Sequence, residues 1–515
     1  MNPSASTIAA LLETGDTKAT ALSSPGGRTL SFGALRSLIS RTVETLAARG
    51  IGPNDRVAIV LDNGPEMAVA FLSVASGATA APLNPRYRAE EFEFYLTDLK
   101  AKLLIVAQGR SSPAIDVAAK LGIPVCQLTA QPERGAGSFV LEFADQPAVR
   151  GGGGGGGGKP RAATPDDAAL VLHTSGTTSR PKIVPLLQRN LVASAGNICA
   201  TLGFSADDRG LCIMPLFHIH GLMAGLLAPL SAGGQVCCPP GFDALKFFSW
   251  MAEARPTWYT GVPTMHQAIL TRAGHNAEIV KANPLRFVRS SSSALPTKVI
   301  TEIESVFGAP VIESYGMTEA SHQMTSNPLP PEPRKPGTVG PGGGPEVRVV
   351  DERGNPVSPG TPGEIVIRGP SVMRGYENNP TANAEAFVQG WFRTGDQGAM
   401  DADGYVTITG RLKEIIIRGG EKISPREVDE IIMAHPAVHQ CVTFALPHEM
   451  LGEEVAAAVV LRPGAEASDK ELRQFAAVRL ADFKVPRKIL IVQEIPVGAT
   501  GKLQRIGLAK KLGLA

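Results

Sequence analysis

The apolar run Ala168-Ala169-Leu170-Val171-Leu172 passes through His173 straight into Thr174-Ser175-Gly176-Thr177-Thr178-Ser179-Arg180-Pro181-Lys182. A short apolar run of this kind fits a buried strand. It delivers a loop of hydroxyl, glycine and basic residues. Small residues let backbone N–H groups point inward, the hydroxyls add donors, and Arg180 and Lys182 add positive charge. That set suits a polyphosphate, although a solvated Ser/Thr turn has the same composition. Upstream, over residues 56–129, the strand-like runs Val57-Ala58-Ile59-Val60-Leu61, Leu103-Leu104-Ile105-Val106-Ala107 and Pro124-Val125-Cys126-Gln127-Leu128 alternate with helical stretches such as residues 65–76. The alternation predicts βαβ units around a mostly parallel sheet, an α/β fold.

A chain of 515 residues exceeds one hydrophobic core and predicts two or more domains. A boundary falls at Gly410-Arg411-Leu412-Lys413, giving a large unit over residues 1–410 and a compact α+β unit over 411–515. In the second unit Ser424 can cap a helix with Pro425 first and Glu427 third, and Ser468 with Glu471 repeats the capping-box spacing. The strand-like runs Val442-Thr443-Phe444-Ala445-Leu446 and residues 455–461 lie between those helices. The eight glycines of residues 151–158 lack the GxxxxGK[ST] pattern and read as a flexible surface loop.

Lys+Arg 50 against Asp+Glu 48 gives a net charge of +2, without the basic excess of a nucleic-acid binder. No run approaches the ~18 apolar residues of a membrane span. The six cysteines show neither a disulfide framework nor zinc spacing and read as buried reduced thiols. The N-terminal residues lack a signal-peptide pattern, and Lys511-Leu512-Gly513-Leu514-Ala515 is not a Ser-Lys-Leu address. The expectation is a cytoplasmic protein without nucleic-acid or membrane partners, monomer or homodimer.

Four further segments follow in order: Glu313-Ser314-Tyr315-Gly316-Met317-Thr318-Glu319, Trp391-Phe392-Arg393-Thr394-Gly395-Asp396, Gly410-Arg411-Leu412-Lys413-Glu414 and Pro496-Val497-Gly498-Ala499-Thr500-Gly501-Lys502. With the loop at Thr174, they resemble the adenylate-forming superfamily of acyl-CoA ligases, luciferases and peptide-synthetase adenylation domains over nearly the whole chain. The family's usual loop is TSGTTGxPKG; here Ser179 and Ile183 replace glycines.

The resemblance implies a large N-terminal adenylate-forming domain of layered sheets and helices with a small mobile α+β C-terminal domain. It implies ATP, Mg²⁺ and coenzyme A. Thr174, Ser175, Gly176, Thr177, Thr178 and Lys182 would hold phosphates, Tyr315 would lie near the adenine and Thr318 near the α-phosphate. Glu319 would lie near the metal, since a carboxylate suits Mg²⁺ beside ATP. Asp396 would hold the ribose hydroxyls with Arg411, and Lys413 would be the hinge. Lys502 would be the catalytic lysine, bridging carboxylate and α-phosphate as negative charge builds. After domain rotation Arg418, Gly419 and Gly420 would face CoA.

The acid itself is read from polar residues where this family lines its acyl pocket. Pro215-Leu216-Phe217-His218-Ile219-His220 carries two histidines, with His218 at a position common in the family and assigned a catalytic and acid-binding role. Ser290-Ser291-Ser292-Ser293 puts hydroxyls on the pocket wall, with Ser292 and Ser293 as candidates, and His322 follows Thr318-Glu319-Ala320-Ser321. Met317-Thr318-Glu319-Ala320-Ser321-His322, Ser326-Asn327-Pro328-Leu329-Pro330 and Arg418-Gly419-Gly420-Glu421-Lys422-Ile423-Ser424-Pro425 resemble the oxalate–CoA ligases in particular. The expected substrate is a small carboxylic acid, oxalate first. Arg289, just before the serines, keeps malonate open, and a coumarate-like acid is the other alternative. A non-catalytic nucleotide-binding relative would have lost Lys502 or Glu319, and both are present.

Overall fold

A computed structural model of the protein describes residues 5–143, 161–174, 181–496 and 503–514. Residues 151–158, residues 175–180 and Lys502 lie outside the described residues.

The βαβ alternation of residues 56–129 is present. Strands Arg56–Val60, Thr79–Pro82, Leu103–Ala107 and Val125–Ala130 are separated by helices Pro65–Gly77, Ala89–Leu99 and Pro113–Leu121. Parallel pairings Val57↔Leu103, Leu104↔Val125 and Ala80↔Leu170 join them to the strand Ala168–Thr174 in a seven-stranded sheet. Phe139–Phe143 and Lys182–Leu187 close its two edges antiparallel. Helix Pro65–Gly77 buries every residue except Glu66. A helix apolar all round belongs inside a layered core rather than on a surface.

A second sheet has eight strands in the order His322–Ser326, Val311–Met317, Phe287–Ser290, Trp258–Gly261, Arg209–Leu211, Gln235–Cys237, Thr20–Ser23, Leu30–Ser31. The inner strands are parallel and the two outermost are antiparallel. Trp258, Phe71 and Phe287 are fully buried in the main core. A third, antiparallel sheet of five strands ends on Val406–Arg411, so the large domain's last pairing is Asp396↔Arg411.

Beyond Lys413 lies the small α+β unit. Its sheet joins Ile416–Arg418, Glu421–Ile423, Val438–His448, Gly452–Leu461 and Lys488–Ile491. Both capping signals read from the sequence are realised. The Ser424 side chain accepts the Glu427 N–H, with Pro425 opening helix Pro425–Met433, and Ser468 with Glu471 forms a full capping box on helix Asp469–Ala477. All six cysteines are buried and free. Among the described residues, no helix is long and apolar enough to cross a membrane.

The small domain also carries an ionic cluster. The Arg505 guanidinium donates to Asp429 Oδ2 at 2.5 Å and to the Thr443 carbonyl at 3.0 Å, and lies 3.4 Å from Glu414 Oε2. Asp429 also accepts the Thr443 N–H at 2.6 Å. Removing one member of a largely buried pair leaves an uncompensated charge, at a cost of about 3–5 kcal/mol. Arg505→Met is therefore expected to lower hydrogen-exchange protection along Val438–His448 by that amount, with Asp429→Asn in the same chain recovering part of it. Exchange is the suitable probe because Trp250, Trp258 and Trp391 all belong to the large domain.

Candidate active site

The parallel strands Ala168–Thr174, Trp258–Gly261, Phe287–Ser290 and Val311–Met317 carry candidate residues at their C-terminal ends, the edge at which open α/β sheets bind ligands. The last of them turns sharply. Thr318–Ala320 makes a single tight turn, and Ser321 and His322 follow with φ of 52° and 101°. The chain then returns antiparallel, with Met317 opposite His322. Gly316 permits that return: a Cβ there would meet the His322 carbonyl oxygen at 1.8 Å. The buried Ser321 ties the turn down. Its carbonyl accepts from Ser194 Oγ at 2.6 Å, and its hydroxyl donates to the Ser371 carbonyl at 2.8 Å.

On one side of this turn lie the residues of the nucleotide motifs. Tyr315 donates its hydroxyl to Asp396, and Arg411 Nε stands 3.2 Å from the other Asp396 oxygen. Three residues from three separate motifs thus meet at one buried carboxylate. Glu319 is buried and accepts the Tyr376 hydroxyl at 2.9 Å. Burial pushes its carboxyl upward, while the Tyr376 hydroxyl, Arg411 and Lys182 pull partly back. Lys182 Nζ lies 4.5 Å above the Tyr376 ring, a cation–π distance. Tyr376 therefore links the phosphate-loop lysine to the carboxylate of the turn. Nothing in Arg374-Gly375-Tyr376-Glu377 marks it from sequence. Among the described residues, no group of three or more His, Cys, Asp or Glu side chains could hold a metal. Glu319 is a carboxylate that could take one position on a hard cation.

On the other side is a buried polar cluster. His220 bonds Ser292 Oγ through Nδ1 at 3.0 Å and Thr260 Oγ1 through Nε2 at 2.7 Å. His322 stacks on His220, with ring centroids 4.8 Å apart and planes 20° from parallel. Arg289 Nη1 lies 3.0 Å from His322 Nε2, and its Nη2 donates to Gln323 Oε1 at 3.2 Å. His218 accepts the His220 backbone N–H on Nδ1 at 3.3 Å, so a neutral His218 carries its proton on Nε2. Sequence reasoning places His218, Ser292 and His322 here. His220 appears in the sequence reading only as the second histidine of its stretch, without a role of its own, and Thr260 and Gln323 are not found there. Ser293 is exposed, apart from the cluster.

Thr174 ends its strand opposite Lys182, while Ser175, Gly176, Thr177, Thr178 and Lys502 lie outside the described residues. Arg418, Gly419 and Gly420 form the turn between Ile416–Arg418 and Glu421–Ile423. Arg418 pairs with Glu454 at 2.6 Å, and the Gly419 N–H reaches the Leu451 carbonyl at 2.9 Å, both within the small domain.

Residues 13–377 match the AMP-binding enzyme model and residues 427–502 the AMP-binding enzyme C-terminal domain. The chain is 46% identical over 490 residues to an oxalate–CoA ligase of Arabidopsis thaliana, covering 94% of each, and 42% identical to an oxalate–CoA ligase of Saccharomyces cerevisiae, covering 88% of this chain and 86% of the other. ATP-bound MatB from Rhodopseudomonas palustris superposes with a TM-score of 0.86 at 31% identity, covering 98% of both chains. The chain belongs to the AMP-binding enzyme family, as an AMP-forming acid–CoA ligase.

The turn at Gly316 yields a direct test. Gly316→Ala is expected to destabilise the protein by about 3 kcal/mol, the upper end of overpacking costs, and to weaken ATP binding in calorimetry. Gly274→Ala has open space at its Cβ and an ordinary helical φ of −58°. It should shift stability by less than about 1 kcal/mol, upward if at all.

Proposed function

We propose that the acid this CoA ligase activates is oxalate. The observation that carries the reading is the cluster of buried Arg289, His322 and His220 with the half-buried Ser292, a polar and cationic lining where a fatty-acid ligase needs an apolar tunnel. Oxalate is two joined carboxylates, and burying the second without partners would cost several kcal/mol. The relatives in Arabidopsis thaliana and Saccharomyces cerevisiae named oxalate–CoA ligase support it independently.

The reaction has two halves at one site. In the first, a carboxylate oxygen attacks the α-phosphorus of ATP and pyrophosphate leaves, giving the acyl-adenylate. Thr174, Ser175, Gly176, Thr177, Thr178 and Lys182 cradle the phosphates, and Thr318 meets the α-phosphate. Tyr315 flanks the adenine. Asp396 takes the ribose hydroxyls, for which a carboxylate held by Tyr315 and Arg411 still has lone pairs to offer. Mg²⁺ held at Glu319 would neutralise charge on the phosphates. Lys502 contacts the carboxylate and α-phosphate together, where a positive charge is worth most as charge develops. Ser292, Ser293, His218 and His322 receive the acid. In the second half the CoA thiol attacks the acyl carbon, AMP leaves, and the proton is lost from sulfur. Rotation about Lys413 exchanges Lys502 for the face bearing Arg418, Gly419 and Gly420.

Pyrophosphate release with ATP, Mg²⁺ and CoA across oxalate, malonate, acetate, coumarate and octanoate tests the substrate. Stimulation by oxalate alone is expected; silence on oxalate with turnover of another acid would overturn it. Lys502→Ala should lower pyrophosphate release by roughly 10²–10³-fold, with ATP affinity by calorimetry changed only a few-fold.

A further inference from the structure

Arg289 is fully buried on the inner strand Phe287–Ser290, held between parallel neighbours on both sides. No carboxylate pairs with it among the described residues. Its Nη groups go to His322 and Gln323, and Nε has no hydrogen-bond partner. Burial lowers its pKa to about 9. A cation kept inside a core at such a desolvation cost needs an explanation beyond stability. The orientation of the group is over-determined. Gln323 Nε2 donates to the Gly343 carbonyl at 2.9 Å and meets Thr201 Oγ1 at 3.0 Å, so its Oε1 must face Arg289.

A guanidinium has only donors. At 3.0 Å from Arg289 Nη1, His322 Nε2 must therefore accept. The ring is then neutral, because an imidazolium would set N–H against N–H and cation against cation. Among the described residues, His220 stacks on the His322 face and is itself bonded to Ser292 and Thr260, which does not disturb the Arg289 contact.

We infer that Arg289 is a positioning residue for acid recognition, which by donating into Nε2 holds His322 as its neutral Nδ1–H tautomer and leaves Nδ1 as the single ring donor for the acid's far carboxylate. The inference rests on the proposed role of His322 in receiving the acid. It also explains the absence of a counter-ion: a carboxylate beside Arg289 would compete for the guanidinium N–H groups and release the ring.

The test is long-range ¹H–¹⁵N spectroscopy of histidine-labelled full-length protein, with His322 assigned by the signals lost in His322→Asn. The expected spectrum shows a bare Nε2 and a protonated Nδ1 at neutral pH. Arg289→Met should lose that tautomer and raise KM for the acid at least tenfold, with KM for ATP within twofold of the parent. Arg289→Lys keeps a donating cation and should restore the tautomer and most of the KM. A protonated Nε2 in the parent protein would overturn the inference, as would an Arg289→Met protein unchanged in both tautomer and KM. If Arg289→Met fails to fold, the parent spectrum and Arg289→Lys still decide. Failure of oxalate in the acid panel beside the expected tautomer would sink the oxalate reading alone, and the KM comparison would then be made with the acid that turns over.

Discussion

Between Gly316 and the carbonyl of His322 there is no room for a side chain, and that close approach organises both halves of the site. It lets the strand Val311–Met317 fold back on itself within a single tight turn. Tyr315 stays on the nucleotide side with Asp396, Glu319 stays inside the turn with Tyr376, and His322 emerges against His220 and Arg289. One short segment thus sets the spacing between the groups proposed for nucleotide, metal and acid. A longer turn would let these distances drift. The left-handed backbone at Ser321 and His322 is strained, and the hydrogen bonds of Ser321 to Ser194 and Ser371 offset that strain.

Much of this was legible in the sequence for a physical reason. Strands, caps and the strand-to-loop junction at Thr174 are local, so Val57-Ala58-Ile59-Val60, Ser424 with Pro425, and Ser468 with Glu471 announce themselves within a few residues. The meeting of Tyr315, Asp396 and Arg411 could be expected only through the resemblance, since no local pattern joins positions so far apart. What could not be read are the contacts between side chains that neither periodicity nor motif connects. Tyr376 under Lys182, Thr260 on His220 and Gln323 on Arg289 are of this kind. The serine run shows the limit within one segment: Ser291 is buried and bonded to the Ser314 carbonyl, Ser292 reaches His220, and Ser293 faces outward. Composition made the serines look alike, but backbone direction separates them.

The two ends of the site handle charge in opposite ways. At the nucleotide end, carboxylates are matched by donors: Asp396 by Tyr315 and Arg411, Glu319 by Tyr376. At the acid end, a buried guanidinium has His322 and Gln323, and no carboxylate, as its hydrogen-bond partners among the described residues. A buried positive charge favours an anion on the far side of His322, since in low dielectric its attraction reaches over several ångströms. The same charge would not help a neutral aliphatic chain. The electrostatic asymmetry therefore argues for a small acid whose second end is negative.

In the proposed reaction the small domain carries Lys502 to this site and away again without losing its own shape, and the Arg505 cluster is suited to hold that shape. Arg505 lies three residues beyond Lys502 in the sequence, yet its guanidinium is fastened to Asp429 on the helix Pro425–Met433, to the Thr443 carbonyl on the edge strand Val438–His448, and to Glu414 next to the proposed hinge residue Lys413. The segment around Arg505 is thereby tied to the proposed pivot. Two strong bonds cross to the large domain's strand Val406–Arg411: Arg426 Nη1 donates to the Ile408 carbonyl at 2.7 Å, and the Ser424 hydroxyl donates to the Thr409 carbonyl. Arg462 meets Glu302 at 3.3 Å and Gln440 meets Gln267 at 3.3 Å, both partly exposed and each worth about 1 kcal/mol or less. The proposed rigid-body rotation would therefore break the Arg426 and Ser424 bonds along with these weaker outer contacts, while the Arg505 cluster travels intact.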